Sequence, residues 1–261
     1  MALQTQKPQF ILFGDSLTEW GFEEFDEGFG WFLEQKYKDK VHVQCEGRAG
    51  FTSTNLLPDF DRIIAQATSP NAPKTLLFTI FLGANDACLN GMEEYVPLPQ
   101  FEQNICKFVE TILTQDALPE TKIVLITPPP INILSPLFDG EEGADLKALN
   151  EEEKLLRGYR TYMNKKRYAE KIMQIAVTYE ETGRVAGLDF WGDLVRAKLQ
   201  EIGEEYDEER LPGSGLYGVG DFGKGYFTDG LHLDKKAYNV LSRTLYDTMV
   251  TKWPQLAPEL L

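Results

Sequence analysis

The chain has 261 residues, 43% of them hydrophobic and 26% charged, with a net charge of −15. That composition fits one large α/β domain or two small ones. The acidity argues against a nucleic-acid partner, and no apolar run nears the ~18 residues of a membrane span. Residues 135–153 hold seven acids and one lysine, and residues 201–209 hold six acids and no base. The charge therefore belongs to two local segments, which read as solvated loops. The opening MALQTQKPQ is polar, with four apolar residues before Gly14, so no secretory h-region is expected. No Asn-x-Ser/Thr acceptor occurs. Cys45, Cys88 and Cys106 form no C-x-x-C pair. They read as reduced, mostly buried thiols of a cytoplasmic protein.

Along the chain, QFILF (9–13) is the first strand and runs into Gly14-Asp15-Ser16. GWFLEQKY (30–37) has a helical pattern. VHVQC (41–45) alternates, with Val41, Val43 and Cys45 on one face, as an edge strand would. A helix is expected over 54–67, with Pro58 in its first turns. TLLFTIFL (75–82) is apolar throughout and suits a central strand. A helix over 99–113, strand KIVLIT (122–127), a long helix over 154–180 and strand RVAGLDF (184–190) follow. The last helix spans 235–250, with Asp234 as its N-cap. Strands alternating with helices predict a parallel sheet covered on both faces, a three-layer α/β/α architecture. The reading is one domain over residues 1–261 with acidic insertions near 135–153 and 201–225.

Such sheets carry their sites at the carboxyl ends of the strands. Those ends lead into GDS, EGRAGFTS, GANDAC and TPPPIN. Histidine is scarce. His42 lies inside the edge strand and reads as an exposed structural residue. His232 follows Asp229 by three residues, just before the last helix, where a carboxylate can fix the imidazole tautomer. Ser16 is the candidate nucleophile for that base. Ser53 opens a helix pattern and looks like a cap. For an oxyanion, the chain offers N–H groups around Gly50, the Asn85 amide and the Ser16 N–H. No G-x-S-x-G elbow occurs, which argues against the α/β-hydrolase architecture. GSGLYG and GVGDFG match G-x-G-x-x-G but neither follows a strand. Two distant histidines and scattered cysteines give no zinc spacing.

GDSLTE, GRAGFTS, GAND and DGLHL, in this order, resemble the blocks of the SGNH (GDSL-type) hydrolase family. TIFLGANDAC, VPLPQFEQNI and FTDGLHLDKKAY look most like its isoamyl acetate-hydrolysing esterase branch. The resemblance implies a flavodoxin-like parallel sheet of order 2-1-3-4-5 and no metal or organic cofactor. It implies hydrolysis of short-chain esters, acetates especially, and frequently a homodimer. It assigns Ser16 as nucleophile, His232 as base, Asp229 as its orienter, and Ser16, Gly50 and Asn85 as the oxyanion hole. Asp15 is expected to brace the loop. Trp20, Phe22, Phe51, Phe227 and Leu231 are apolar candidates for a pocket that takes a small hydrophobic alcohol. The same acyl centre would serve a thioester, a lysophospholipid, a sugar acetate or transfer to an alcohol. A non-catalytic scaffold would keep the fold without using it.

Overall fold

The computed structural model describes residues 6–133, 159–216 and 218–261. Five strands form one parallel sheet: β1 (Gln9–Gly14), β2 (His42–Gly47), β3 (Thr75–Phe81), β4 (Lys122–Ile126) and β5 (Val185–Leu188), in the order β2-β1-β3-β4-β5. This is the expected three-layer arrangement, with β3 at the centre and β2 at an edge. Alternate residues of β1 enter different cores. Phe10 and Leu12 pack with helices α2 (Phe29–Lys36), α6 (Phe190–Ile202) and α7 (Lys235–Lys252). Ile11 and Phe13 pack with α3 (Leu57–Ala67), α4 (Leu98–Thr114) and α5 (Tyr162–Thr178). Period-two alternation thus places one strand between two hydrophobic layers. No helix among the described residues is long and apolar enough to cross a membrane.

Several expectations are corrected. The helix expected over 54–67 starts at Leu57, and Ser53 is not its cap. Ser53 donates both its N–H and its hydroxyl to Asp86 Oδ1, a buried carboxylate with a stronger claim on them than a helix end. The long helix begins at Tyr162, where the Thr161 hydroxyl accepts the Asn164 N–H at 3.1 Å; residues 154–158 and the acidic segment 135–153 lie outside the described residues. The expected strand 184–190 stops at Leu188. Asp189 accepts the Gly192 N–H at 3.0 Å and caps α6, a helix that the periodicity reading missed. The segment named as the second insertion therefore begins inside α6, whose end is Gly203 in the left-handed region at φ 72°. Cys45 is exposed, not buried, although Val43, expected on the same face of the edge strand, is buried; the alternation breaks at neighbouring Glu46, which is buried against Arg62 at 2.6 Å. Cys88 is buried and Cys106 half-buried.

The end of β1 is set by a steric constraint. A Cβ on Gly14 would sit 2.2 Å from Thr18 Oγ1 and 2.5 Å from the Phe81 carbonyl oxygen. The second obstacle is β3 backbone and cannot rotate away. Gly14→Ala is expected to destabilise the protein by about 1–3 kcal/mol, seen as a lowered midpoint in urea unfolding. An unchanged midpoint would show that the ends of β1 and β3 can separate freely.

Candidate active site

Immediately after Gly14, Asp15 caps the short helix α1 (Ser16–Glu19) by accepting the Leu17 N–H on Oδ1 at 2.9 Å. This makes Ser16 the first helical residue and fixes where its side chain leaves the chain. Among the described residues, no partner takes the Ser16 N–H. α1 is then tied on two sides. The Tyr238 hydroxyl of α7 donates to the Leu17 carbonyl at 3.0 Å. Glu19 accepts the Ala49 N–H at 2.6 Å, which anchors the loop that carries Gly50.

The loop between Tyr226 and Asp234 carries the candidate base. Phe227 and Leu233 form an antiparallel bridge, and the Asp234 N–H reaches the Tyr226 carbonyl at 2.9 Å. Within this turn Asp229 Oδ1 accepts the N–H groups of Leu231 and His232 at 2.9 and 2.8 Å. Its Oδ2 lies 2.6 Å from His232 Nδ1. Because a carboxylate only accepts, Nδ1 is the donor and Nε2 is left as the basic nitrogen. Burial works to raise the Asp229 carboxyl, but the His232 bond and the two N–H donors outweigh it. They hold it below the ordinary carboxylate range. The Trp20 ring lies 4.2 Å from the His232 ring, centroid to centroid. Since Trp20 directly follows α1, this contact brings the histidine turn to the Ser16 helix. The loop that follows β4 also supports the turn, as Asn132 donates its N–H to the Gly230 carbonyl at 2.8 Å.

On the other side, Gly50 adopts φ +78°, and a Cβ there would meet nothing within 4 Å. Glycine is needed for the left-handed backbone, not for space inside the protein. Its N–H has no partner among the described residues. Asn85 donates Nδ2 to the Phe51 carbonyl at 2.8 Å and accepts on Oδ1 from Arg160 Nη2 at 2.8 Å. Asn85 is thereby joined to the residue beside Gly50.

Under these loops lies a set of buried charges. Burial pushes the Asp15 carboxyl up to about 7, with the Asp86 charge adding to it and the Leu17 N–H opposing. Burial likewise raises Asp86 to about 6 against its bonds from Ser53. Lys165 is fully buried on α5, and burial together with Arg160 lowers it to about 7 while Asp15 draws it back up.

The five sequence-derived residues thus form two subsets. Asp229 and His232 meet at Trp20, which follows the helix that Ser16 begins, and Gly50 and Asn85 are joined through Phe51. His42 is exposed on β2, as expected. Of the pocket candidates, Trp20 and Phe51 are exposed at the site. Phe227 and Leu231 are buried, Phe227 against Phe222 at 5.2 Å, and Phe22 packs over Gly30. Arg160, Lys165 and Asp86 had no signal in the reading. Arg160 stands 75 residues from its amide partner, and a lysine in a helical run reads as solvated. A groove of about 500 Å3 between α5 and α6 has walls whose charges pair among themselves, such as Lys166 with Glu208 and Arg196 with Asp189. None of the five candidate residues lines it.

The family model of the GDSL-like lipase/acylhydrolases matches residues 10–245. A GDSL esterase/lipase of Arabidopsis thaliana is 34% identical over 128 residues, which are 48% of this chain and 51% of that protein. The chain thus spans about half the length of that relative. The isoamyl acetate-hydrolyzing esterase of Saccharomyces cerevisiae is 29% identical over 96% of this chain and 90% of its own. Among solved structures, the lipase/acylhydrolase from Enterococcus faecalis has the same fold, with a TM-score of 0.59 at 17% identity over 94% of this chain and 96% of that one.

The buried Asp15 has a direct stability consequence. Its carboxyl holds a proton in the folded protein between about pH 4, where the unfolded chain releases it, and about 7. Its contribution is therefore full below that window and is lost as pH rises through it. Asp15→Asn keeps the cap and removes the titration. The stability of the wild type relative to Asp15→Asn is expected to fall by about 1 kcal/mol per pH unit across the window, measured by urea unfolding at several pH values. Parallel curves for the two proteins would mean that Asp15 is ionised throughout.

Proposed function

Because the chain belongs to the GDSL-like lipase/acylhydrolase family, we propose that it hydrolyses short-chain carboxylic esters, acetates of small apolar alcohols such as isoamyl acetate among them, through an acyl-enzyme on Ser16. The observation that carries this reading is the Asp229–His232 pair, closed at 2.6 Å and packed by Trp20 onto the helix that begins with Ser16. The yeast relative that aligns over most of the chain is named for isoamyl acetate, and this favours the acetate branch. In the proposed reaction Ser16 Oγ attacks the ester carbonyl as His232 Nε2 takes its proton. The carbonyl π electrons move to oxygen, and the N–H groups of Ser16 and Gly50 and the Asn85 amide receive that charge. The intermediate collapses, the C–O bond to the alcohol breaks, and His232 returns the proton to the departing alkoxide. Water then repeats the sequence on the acyl-enzyme and releases the carboxylic acid. Asp229 orients the ring and stabilises it when protonated, without taking the proton.

Trp20 and Phe51 give this site exposed apolar walls. They offer apolar area to the alcohol group of a small hydrophobic ester. The catalytic unit is proposed to be one domain, with the acidic segments as peripheral additions.

Ser16→Ala is expected to abolish both the acylation burst with p-nitrophenyl acetate and labelling by an organophosphate serine probe. Across p-nitrophenyl esters from acetate to octanoate, kcat/KM should fall with chain length, and isoamyl acetate should outrun a sugar acetate. Hydrolysis of acetates by Ser16→Ala at the wild-type rate would overturn the mechanism; a preference for octanoate or for the sugar acetate would overturn the substrate assignment.

A further inference from the structure

The geometry points to Arg160 as the positioning residue of the oxyanion amide: it holds Asn85 in one of its two flip states and polarises the amide so that Nδ2 is a stronger donor to the developing oxyanion. The inference rests on the ester-hydrolase reading above.

Three bonds fix the amide. Arg160 Nη2 donates to Asn85 Oδ1 at 2.8 Å. Arg160 Nε donates to the carbonyl of Ala84, the residue just before, at 2.6 Å. Asn85 Nδ2 donates to the Phe51 carbonyl at 2.8 Å. A guanidinium only donates and a carbonyl only accepts, so exchanging the amide O and N would break the contacts at both ends. Asn85 therefore has one stable orientation. Among the described residues, Phe51 is the one acceptor for Nδ2, which carries two hydrogens. A charged donor on the amide oxygen also draws electron density from nitrogen and strengthens the remaining N–H as a donor. The guanidinium adds a fixed positive charge near the place where negative charge develops.

The backbone delivers Arg160 to this place. Tyr159 takes a left-handed φ of 56°, a conformation that a bulky residue adopts only where its surroundings enforce it. Its carbonyl accepts the Leu89 N–H at 2.9 Å, and Arg160 forms an antiparallel bridge with Cys88. Asn164 Nδ2 then donates to the Ala87 carbonyl at 2.7 Å. The segment is laced along the 84–89 loop, and the Arg160 side chain is buried with only 5% of the residue exposed. Arginine is needed for geometry as well as charge. Its planar fork reaches the Ala84 and Asn85 oxygens together, which a lysine ammonium on a flexible stem cannot reproduce.

A double-mutant cycle on p-nitrophenyl acetate hydrolysis tests this. Asn85→Ala is expected to lower kcat by roughly 10²–10³. Arg160→Met in the Asn85 background is expected to lower kcat by about tenfold or more with KM nearly unchanged, since an interaction expressed in the transition state lowers kcat and kcat/KM together. Arg160→Lys should fall between wild type and Arg160→Met. In the Asn85→Ala background, either Arg160 change should cost less than about threefold, because residues acting as one unit are non-additive. Arg160→Lys carries the same cycle if the Met variant does not fold. Equal losses with and without Asn85, or full kcat in both Arg160 variants, would overturn the positioning role and leave the hydrolase reading intact. Full kcat in Asn85→Ala would instead overturn the oxyanion reading of Asn85, and the role of Arg160 with it.

Discussion

The close passage of Gly14 between Thr18 and the Phe81 carbonyl is the constraint on which the site is built. It lets β1 and β3 stay paired to their last residues, so the chain leaves β1 at the same level as it leaves β3. Asp15 caps α1 there, Ser16 starts the helix, and Asn85 and Asp86 lie just past the end of β3. A side chain at position 14 would push these two exits apart. Ångström-scale displacement matters because hydrogen bonds weaken steeply with distance and angle. Sheet register, a property of the fold, thus becomes spacing between functional groups.

Holding the exits together has an energetic cost that is visible below the site. Asp15 Oδ2, Thr18 Oγ1, Asp86 Oδ2 and Lys165 Nζ are buried without a hydrogen-bond partner among the described residues. Each such group costs about 1–3 kcal/mol when left unsatisfied. The raised carboxyls and the lowered lysine are the response: burial shifts each group toward its neutral form, which is cheaper to bury. A purely apolar layer at these positions would be more stable. It would lack the Asp86 bonds that hold Ser53 and the Asp15 cap that starts α1.

What the sequence disclosed follows from the range of the interactions involved. Strands β1 and β3 were legible because burial on both faces leaves a continuous apolar run, and the motif loops were legible because glycine, asparagine and serine at strand ends have local conformational reasons to be there. Helix α6 was missed because Gly192 in its first turn and the acids past its end broke the pattern that Phe190, Leu194 and Leu199 carry. Ser53 looked like a cap because its true partner, Asp86, is 33 residues away. Arg160 was invisible for the same reason: no local pattern states that a guanidinium will meet an amide across 75 residues. The SGNH resemblance named the blocks that line the site, but not the residues that hold those blocks in place.

The two sides of the site are stiffened by different means. On the side proposed for the oxyanion, Ser16, Asn85 and Arg160 are each about 5% exposed, while Gly50 and Phe51 lie at the surface. That side is fixed by bonds to backbone carbonyls and a guanidinium. The histidine side is open: the Asp229 side chain is 40% exposed and that of His232 20%. Water competes for such a pair and weakens it. Asp229 answers with two backbone N–H donors, which fix its carboxylate before the imidazole is considered. Trp20 adds an aromatic face that restricts where the imidazole can turn. The same indole is exposed, so a group that docked against it would also press on the His232 ring. An apolar alcohol group seated on Trp20 would exclude water from the Asp229–His232 pair and strengthen it. In this arrangement, the preference proposed for a hydrophobic ester and the exclusion of water from the Asp229–His232 pair would share one cause.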